Sequence, residues 1–232
     1  SLKNHITQSF SDKENLKALK KDLGIALDIN RIEAFDNSHL FGKNAVGAMI
    51  VFSKEGFDKK SYRKFNIDSN KVKPGDDYGM MRHVLERRFS SEAIKNQKKY
   101  QNLPELLIID GGKGHYDLAK KILDEKNLSE IKLASIFKGE GRKESLDQII
   151  FNDKKNYIKK DTPSFFFMQR LRDESHRYAI GAHRDKRKKE MHTSELEPIE
   201  GLGRVRKKLL LNHFGSVKNI KTASSQDIMK VK

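Results

Sequence analysis

Three aspartates occupy positions that suit metal chemistry in a strongly basic chain. Asp36 ends a strand-like run, Asp110 ends an apolar run, and Asp77 opens a predicted helix. The formal net charge of +16 produces a long-range field that favours a polyanion. Carboxylates are poor phosphate binders unless a divalent cation lies between them and the phosphate. An acidic cluster in a basic protein therefore indicates a metal-dependent nuclease.

The two strand-end aspartates predict a shared cation. We expect the strands that end at Asp36 and Asp110 to lie side by side in the centre of a sheet. Two carboxylates brought together repel each other, and one takes up a proton unless a cation neutralises the pair. Mg²⁺ or Mn²⁺ accepts such oxygen ligands. The alternative is that each aspartate caps the turn that follows it, and these residues alone favour neither interpretation.

Two other segments offer candidate ligands. His176 lies on a long predicted helix one turn after Asp173, where an imidazole could complete a metal shell or move a proton. Nitrogen ligation suits Mn²⁺, so the hypothesis predicts good activity with that ion. A solvated helical histidine is the alternative, and we expect His183 to be a bystander or a DNA contact. At the other helix start, we expect Asp76 to cap free amides while Asp77 faces the site.

Lys113 lies in a glycine-rich loop that does not fit a nucleotide-binding phosphate loop. That motif needs a glycine where this chain has Leu107, and a serine or threonine where it has Gly114. ATP binding is therefore not expected. The glycines are expected to clear space for a DNA backbone, with Lys113 contacting a phosphate or orienting the site. A solvated loop lysine is an equal alternative.

A second basic segment lies near the C-terminus. Gly201 and Gly203 join two short helical stretches, and four basic residues follow, namely Arg204, Arg206, Lys207 and Lys208. In a helix-hairpin-helix, such glycines let backbone amides approach a phosphate without reading the sequence. An ordinary helix turn is the alternative. The charged run 184–189 is either a solvated linker or a segment that follows DNA.

The elements that must position these residues form a mixed α/β pattern. Apolar runs and alternation predict five strands, at 32–36, 45–52, 62–67, 105–110 and 131–137, and a short strand or hairpin arm at 148–151. Helices are predicted at 12–23, after Asp76, after Gly112, and from about 165 to 189, with a linker reaching Thr193. This order predicts a five-stranded mixed sheet with helices on both faces, followed by a small helical domain.

Composition narrows the class of protein further. The chain has no cysteine, which excludes disulfides and thiolate zinc sites and favours the cytoplasm. No apolar stretch approaches the roughly 18 residues of a membrane span, and the N-terminus lacks a signal-peptide pattern. The first residue is not methionine and the last helix has no stop signal. We therefore expect a fragment of a longer protein.

Four motifs occur in order along the chain: 35–39 (FDNSH), 75–78 (GDDY), 109–114 (IDGGKG) and 172–177 (RDESHR). Together they resemble the C-terminal half of the UvrC family, the nuclease subunits of bacterial nucleotide excision repair. The resemblance covers the chain from about residue 12 to its end. It implies an RNase H-like endonuclease domain, a tandem helix-hairpin-helix domain, and incision on the 5′ side of a lesion in duplex DNA. The 3′ nuclease domain and the UvrB-binding segment of the family are absent from this chain.

The resemblance also implies roles for individual residues. Asp36, Asp110 and His176 match the catalytic triad of the family, and Asp77 matches a further acid needed for incision. The hypothesis is two-metal hydrolysis with Mg²⁺ or Mn²⁺, in which both ions share Asp36. The chain departs from the family pattern at Asn37 and His115, beside the site. Its second hairpin is cut short, which is expected to weaken DNA binding.

The predicted organisation has three parts. Residues 1–24 form a helical or linker segment, residues 25–190 an RNase H-like endonuclease domain, and residues 195–232 a truncated helix-hairpin-helix DNA-binding domain. Two other functions fit the same residues. One is a non-catalytic DNA-binding module on an inactivated nuclease fold, and the other is a different RNase H-like nuclease such as a junction resolvase.

Overall fold

The computed structural model describes residues 2–40, 43–68, 70–73, 75–95, 102–138, 147–155, 157–194, 199, 202–215 and 217–231. The chain divides into two compact units, Ser1–His183 and Arg184–Lys232. No helix in these described ranges combines the length and the apolar character that a membrane crossing requires.

The first unit is built on one mixed sheet of eight strands. In chain order they are β1 (Arg31–Leu40), β2 (Lys43–Ser53), β3 (Gly56–Phe57), β4 (Arg63–Asn66), β5 (Leu106–Asp110), β6 (Lys132–Lys138), β7 (Asp147–Phe151) and β8 (Lys154–Lys155). The spatial order is β3-β2-β1-β5-β6-β7-β8, and β4 also pairs with β2. The pairs β1–β5 and β5–β6 are parallel, and the other pairs are antiparallel.

The predicted strand count of five is wrong, although all five predicted strands exist. They correspond to β1, β2, β4, β5 and β6, and the predicted hairpin arm is β7. The additional strands β3 and β8 have two residues each. Such short strands carry no measurable hydrophobic period, so sequence alternation cannot reveal them.

Parallel pairing of β1 and β5 brings Asp36 and Asp110 next to each other. Phe35 lies opposite Ile109 in the register of β1 and β5. Asp36 and Asp110 are the next residues of their strands, so they occupy adjacent positions. Only Asp110 ends its strand. The prediction that Asp36 ends a strand is wrong, because β1 continues to Leu40 through its pairing with β2. The prediction that β1 and β5 are neighbours is confirmed.

Helices cover both faces of the sheet, as predicted. They are α1 (Leu2–Leu23), α2 (Asp77–Arg88), α3 (Ser91–Lys95), α4 (Lys113–Glu125) and α5 (Pro163–Ser194), with a 3₁₀ turn at Lys59–Ser61. One face packs against α1 and α5 through a cluster that includes Leu19, Leu23, Phe167, Met168 and Leu171. The other face packs against α2 and α4 through a cluster that includes Val84, Leu85, Ala119, Ile122 and Leu123.

A buried ion pair ties α2 to β1. Arg88 donates from Nε to Oε2 of Glu33 at 2.9 Å and from Nη2 to Oε1 at 2.7 Å. Arg31 donates to the same carboxylate at 2.9 Å. Glu33 and Arg88 are fully buried, so solvent does not weaken this bidentate contact. The contact therefore helps to orient α2 relative to β1.

The predicted linker up to Thr193 is wrong, because α5 continues through it to Ser194. The residues of 184–193 include many lysines and arginines, which are good helix formers, and the segment contains no glycine or proline. Charge alone made this stretch resemble a linker.

After the end of α5, the described residues of the second unit form three short helices, α6 (Arg204–Phe214), α7 (Val217–Thr222) and α8 (Ser225–Met229). Leu210, Val217 and Ile220 form their small apolar core. The predicted helix through Leu211 corresponds to α6. The predicted hairpin includes Gly201, which lies outside the described residues.

Candidate metal centre

Three of the predicted site residues converge at the carboxyl edge of the sheet. Asp36 lies in β1 directly after the last residue that pairs with β5, Asp110 ends β5, and His176 lies on α5. Each offers one ligand atom, and these atoms all lie within 4.8 Å of one another. In the described part of the chain, this is the acidic and imidazole cluster with the spacing of a metal site.

Packing of α5 turns His176 toward the aspartates. Leu171 and Ser175 are buried on the side of the helix that faces the sheet, and the imidazole follows at the border of that stripe. Nδ1 of His176 lies 2.9 Å from Oδ2 of Asp36. Asp173, which the sequence placed within reach of His176, accepts hydrogen bonds from Arg172.

Burial disfavours the charged forms of the two carboxylates. It raises the pKa of Asp36 above its ordinary value, although the hydrogen bond with His176 opposes the change. Burial, and then the charge of Asp36, raise the pKa of Asp110 to about 7. Arg172 acts in the opposite direction on both groups. A cation between the two carboxylates would remove the repulsion and restore the ionised forms.

The donor set fits a divalent cation. Two carboxylate oxygens are the ligands that Mg²⁺ prefers, and one imidazole nitrogen extends the preference toward Mn²⁺. Burial and the charge of Asp36 raise the pKa of Asp110, and a cation held by the pair would offset both effects.

Asp77 lies at the first position of α2 and is exposed, outside the three-residue cluster. The predicted cap is confirmed, since the side chain of Asp76 accepts a hydrogen bond from the amide of Gly79 at 2.8 Å. The charge of Asp77 raises the pKa of His115, against a larger lowering by burial. The role of Asp77 in the site stays a prediction.

A buried ion pair beside the cluster was missed by the sequence analysis. Asp147, at the start of β7, is 3% exposed and accepts hydrogen bonds from Arg172 and Gln169. The negative charge of Asp147 also raises the pKa of Asp110. One signal was available: Arg172 precedes His176 by four residues, so both side chains lie on one side of the helix.

The predicted DNA contacts are spread over both units. Lys113 begins α4, next to the site, and its Nζ lies 2.5 Å from Asp117 and 3.3 Å from Asp153. In the second unit, Gly203 is the N-cap of α6, Arg206 is exposed and Lys207 is partly buried. Gly201 and the side chains of Arg204 and His183 lie outside the described residues.

Comparison with known proteins identifies the domain. The UvrC RNase H endonuclease domain family matches residues 20–180, the range that holds all three cluster residues. The chain belongs to the UvrC family. The resemblance carried by the four sequence motifs is thereby confirmed.

Curated UvrC relatives match over the whole chain. The UvrABC system protein C of Brucella abortus strain 2308 is 40% identical over 242 residues, covering 100% of this chain and 40% of that protein. The relative from Hyphomonas neptunium is 43% identical over 236 residues, covering 100% of this chain and 38% of that protein. The chain therefore spans about two fifths of the length of the curated relatives it matches.

A solved structure is similar at a lower level. It is Ciona intestinalis endonuclease V in complex with a 24-mer DNA that contains an inosine, with 15% identity and a TM-score of 0.36. The similarity covers 61% of this chain and 60% of that chain, and at that level it says nothing about substrate.

Proposed function

We propose that this UvrC-family chain is a divalent-metal-dependent DNA endonuclease that makes the 5′ incision of nucleotide excision repair. The convergence of Asp36, Asp110 and His176 within 4.8 Å carries the proposal. Those residues come from three separate elements of the matched domain, and a purely structural role would not require two partly buried acids at one edge.

The three side chains have distinct tasks. Asp36 and Asp110 would hold the cation, which when bound would supply charge stabilisation at the phosphate and a more acidic water. Nδ1 of His176 contacts Asp36. Nε2 is therefore the ring nitrogen that would bind the cation or move a proton toward the leaving 3′-oxygen. The positive charge of Arg172 stabilises the ionised forms of both aspartates, and so lowers the pKa of each.

The proposed ion is Mg²⁺ or Mn²⁺, and the imidazole donor favours Mn²⁺. Two-metal hydrolysis is the finer form of the proposal, with Asp36 shared between the ions. Asp77 is the candidate support for the second ion, since it opens α2 on the side of His115 and the loop that follows Asp110.

The basic residues supply the DNA contacts in this proposal. Lys113 lies at the entrance to α4 beside Asp110, and its charge suits the scissile strand. In the second unit, Gly203 with Arg204, Arg206 and Lys207 binds phosphates as part of a helix-hairpin-helix whose first half includes Gly201. UvrB is the proposed protein partner, through parts of the family absent from this chain.

A plasmid-nicking assay tests the enzymatic part of the proposal. The purified chain, given Mn²⁺ or Mg²⁺ and supercoiled plasmid, is expected to produce nicked circles. Asp110→Asn is expected to slow nicking by at least about 100-fold, the effect of losing one preorganised charged group, while DNA binding persists. The matched control is Asp124→Asn, an exposed aspartate at the far end of α4.

The assay also separates the competing functions. Binding without nicking in either metal would favour the non-catalytic DNA-binding module. Equal cleavage of four-way junctions and of duplex carrying a single bulky adduct would favour a junction nuclease. On an end-labelled damaged duplex, we expect a single cut on the 5′ side of the adduct.

A further inference from the structure

An aromatic pair, of which Tyr78 is exposed, lies against two glycines that follow Asp110. Tyr78 is 53% exposed, which is unusual for so large a ring on a helix that packs against the sheet. It stacks on His115, with ring centroids 4.4 Å apart and an interplanar angle of 16°. One face of the tyrosine is therefore backed by a second ring, and the exposure belongs to the rest of its surface.

Two glycines in the loop after β5 leave room for this pair. A Cβ on Gly114 would lie 2.5 Å from the hydroxyl oxygen of Tyr78, and one on Gly111 would lie 2.6 Å from Cγ of His115. Real Cβ atoms do not come so close to other heavy atoms, so side chains here would displace the rings. The two glycines therefore leave room for the ring pair as well as for a phosphate.

The loop also fixes where the ring pair lies. Gly111 directly follows Asp110, one of the three cluster residues, and Gly114 is in the first turn of α4. The ring pair contacts both glycines, so it stands at the edge of the cluster. Asp77, the neighbour of Tyr78, acts electrostatically on the same imidazole.

We propose that Tyr78, backed by His115, is a stacking platform for the nucleobase next to the scissile phosphate. The inference rests on the proposed DNA endonuclease function. Base–aromatic stacking is tolerant of sequence, because every base has a π-face. A base can reach such a platform only when it has left its own stack. The platform therefore favours incision where the strand is locally unpaired, as at the edge of a bubble.

Fluorescence of 2-aminopurine, which is quenched by stacking, provides a direct readout. The base is placed in turn at each position around the incision in a duplex with a short unpaired bubble. Binding is measured with Asp36→Asn protein, which is not expected to cut. Incision is measured under single-turnover conditions with Mn²⁺, in protein that retains Asp36. Tyr78→Leu removes the ring and Tyr78→Phe retains it. Phe166→Leu is the matched control, because Phe166 is 55% exposed and lies about 15 Å along α5 from His176.

We expect quenching at one position beside the incision, lost in Tyr78→Leu and retained in Tyr78→Phe and Phe166→Leu. Incision by Tyr78→Leu is expected to slow by about tenfold or more, with an unchanged melting temperature. Unchanged quenching in Tyr78→Leu overturns the platform, whatever the incision rate. If the unsubstituted chain neither binds nor cuts the bubble, the endonuclease function fails and the platform fails with it. Normal cutting by Tyr78→Leu with normal quenching removes the platform alone.

Discussion

Nδ1 of His176 lies 2.9 Å from Oδ2 of Asp36, although 140 residues separate them in the chain. The contact fixes the imidazole ring against a buried carboxylate, while the ring itself is 59% exposed. One nitrogen is thereby committed to orientation and the other remains available for chemistry, as in histidines held by a carboxylate in metal sites.

Amide replacements of His176 test whether its ring transfers a proton and binds the cation. His176→Asn places an amide near the position of Nδ1, and His176→Gln places one near Nε2. Both are expected to reduce incision by about 100-fold or more, because neither amide transfers protons. Both should also narrow the advantage of Mn²⁺ over Mg²⁺, since the nitrogen ligand is lost. Single-turnover rates in the two metals provide the measurement, and a fully active His176→Asn would contradict the role given to Nε2.

The raised pKa of Asp110 predicts a pH-dependent stability of the metal-free protein. The folded protein holds this proton up to about pH 7, whereas the ordinary value is 3.8. Between these values the folded state binds more protons than the unfolded state, so the free energy of unfolding falls as the pH rises. We expect the melting temperature to fall from pH 5 to pH 8 by about 5 °C more than it does in Asp110→Asn.

The same comparison tests metal binding. Mn²⁺ is expected to raise the melting temperature more at pH 8 than at pH 5, because the ionised pair binds the cation. Using Asp110→Asn as the reference cancels the titration of the histidines and of other groups. Parallel melting curves for the two proteins across this pH range would argue against the electrostatic account of the site.

The buried Glu33–Arg88 contact predicts a large and local stability effect. Glu33→Gln removes the negative charge from the carboxylate that two buried guanidinium groups, of Arg31 and Arg88, contact. The expected cost is about 3–5 kcal/mol, or roughly 10 °C in melting temperature. The control is Glu86→Gln on α2, where a half-exposed pair with Arg82 at 3.8 Å is worth less than about 1 kcal/mol. Similar losses in the two variants would refute the argument.

Lys113 and Lys120 offer a matched pair for testing DNA contacts. Both contact Asp153, at 3.3 and 2.6 Å, and both are nearly half exposed. Only Lys113 begins the helix beside Asp110. Lys113→Ala is expected to lower affinity evenly across DNA sequences and to reduce the slope of log affinity against log salt by about one. Lys120→Ala should leave that slope nearly unchanged, and equal slopes in the two variants would exclude a phosphate contact by Lys113.

The sequence predicted the parts of the fold in which pattern and packing agree. The unbroken apolar run 106–109 indicated a central strand, and it pairs in parallel with β1 and β6. The expected adjacency of the strands that carry Asp36 and Asp110 is found as well. Two helices were also predicted from apolar stripes at helical spacing in residues 77–88 and 113–125, and both pack against one face of the sheet.

Other features depend on long-range contacts that no local pattern encodes. Asp147 is an ordinary acidic residue until α5 brings Arg172 against it. The stacking of Tyr78 on His115 joins the starts of two helices from different parts of the chain. The helical character of residues 184–193 was missed for a different reason, since dense like charge indicated solvation while helix propensity favoured α5.

The three cluster residues lie far apart in the chain, at positions 36, 110 and 176, so a nicking assay can also be used to follow folding. No peptide much shorter than the span between the first and last of these positions can hold all three ligands. Recovery of cleavage after dilution from denaturant is therefore expected to time the convergence of β1, β5 and α5. Far-ultraviolet dichroism, by contrast, reports when the helices themselves form.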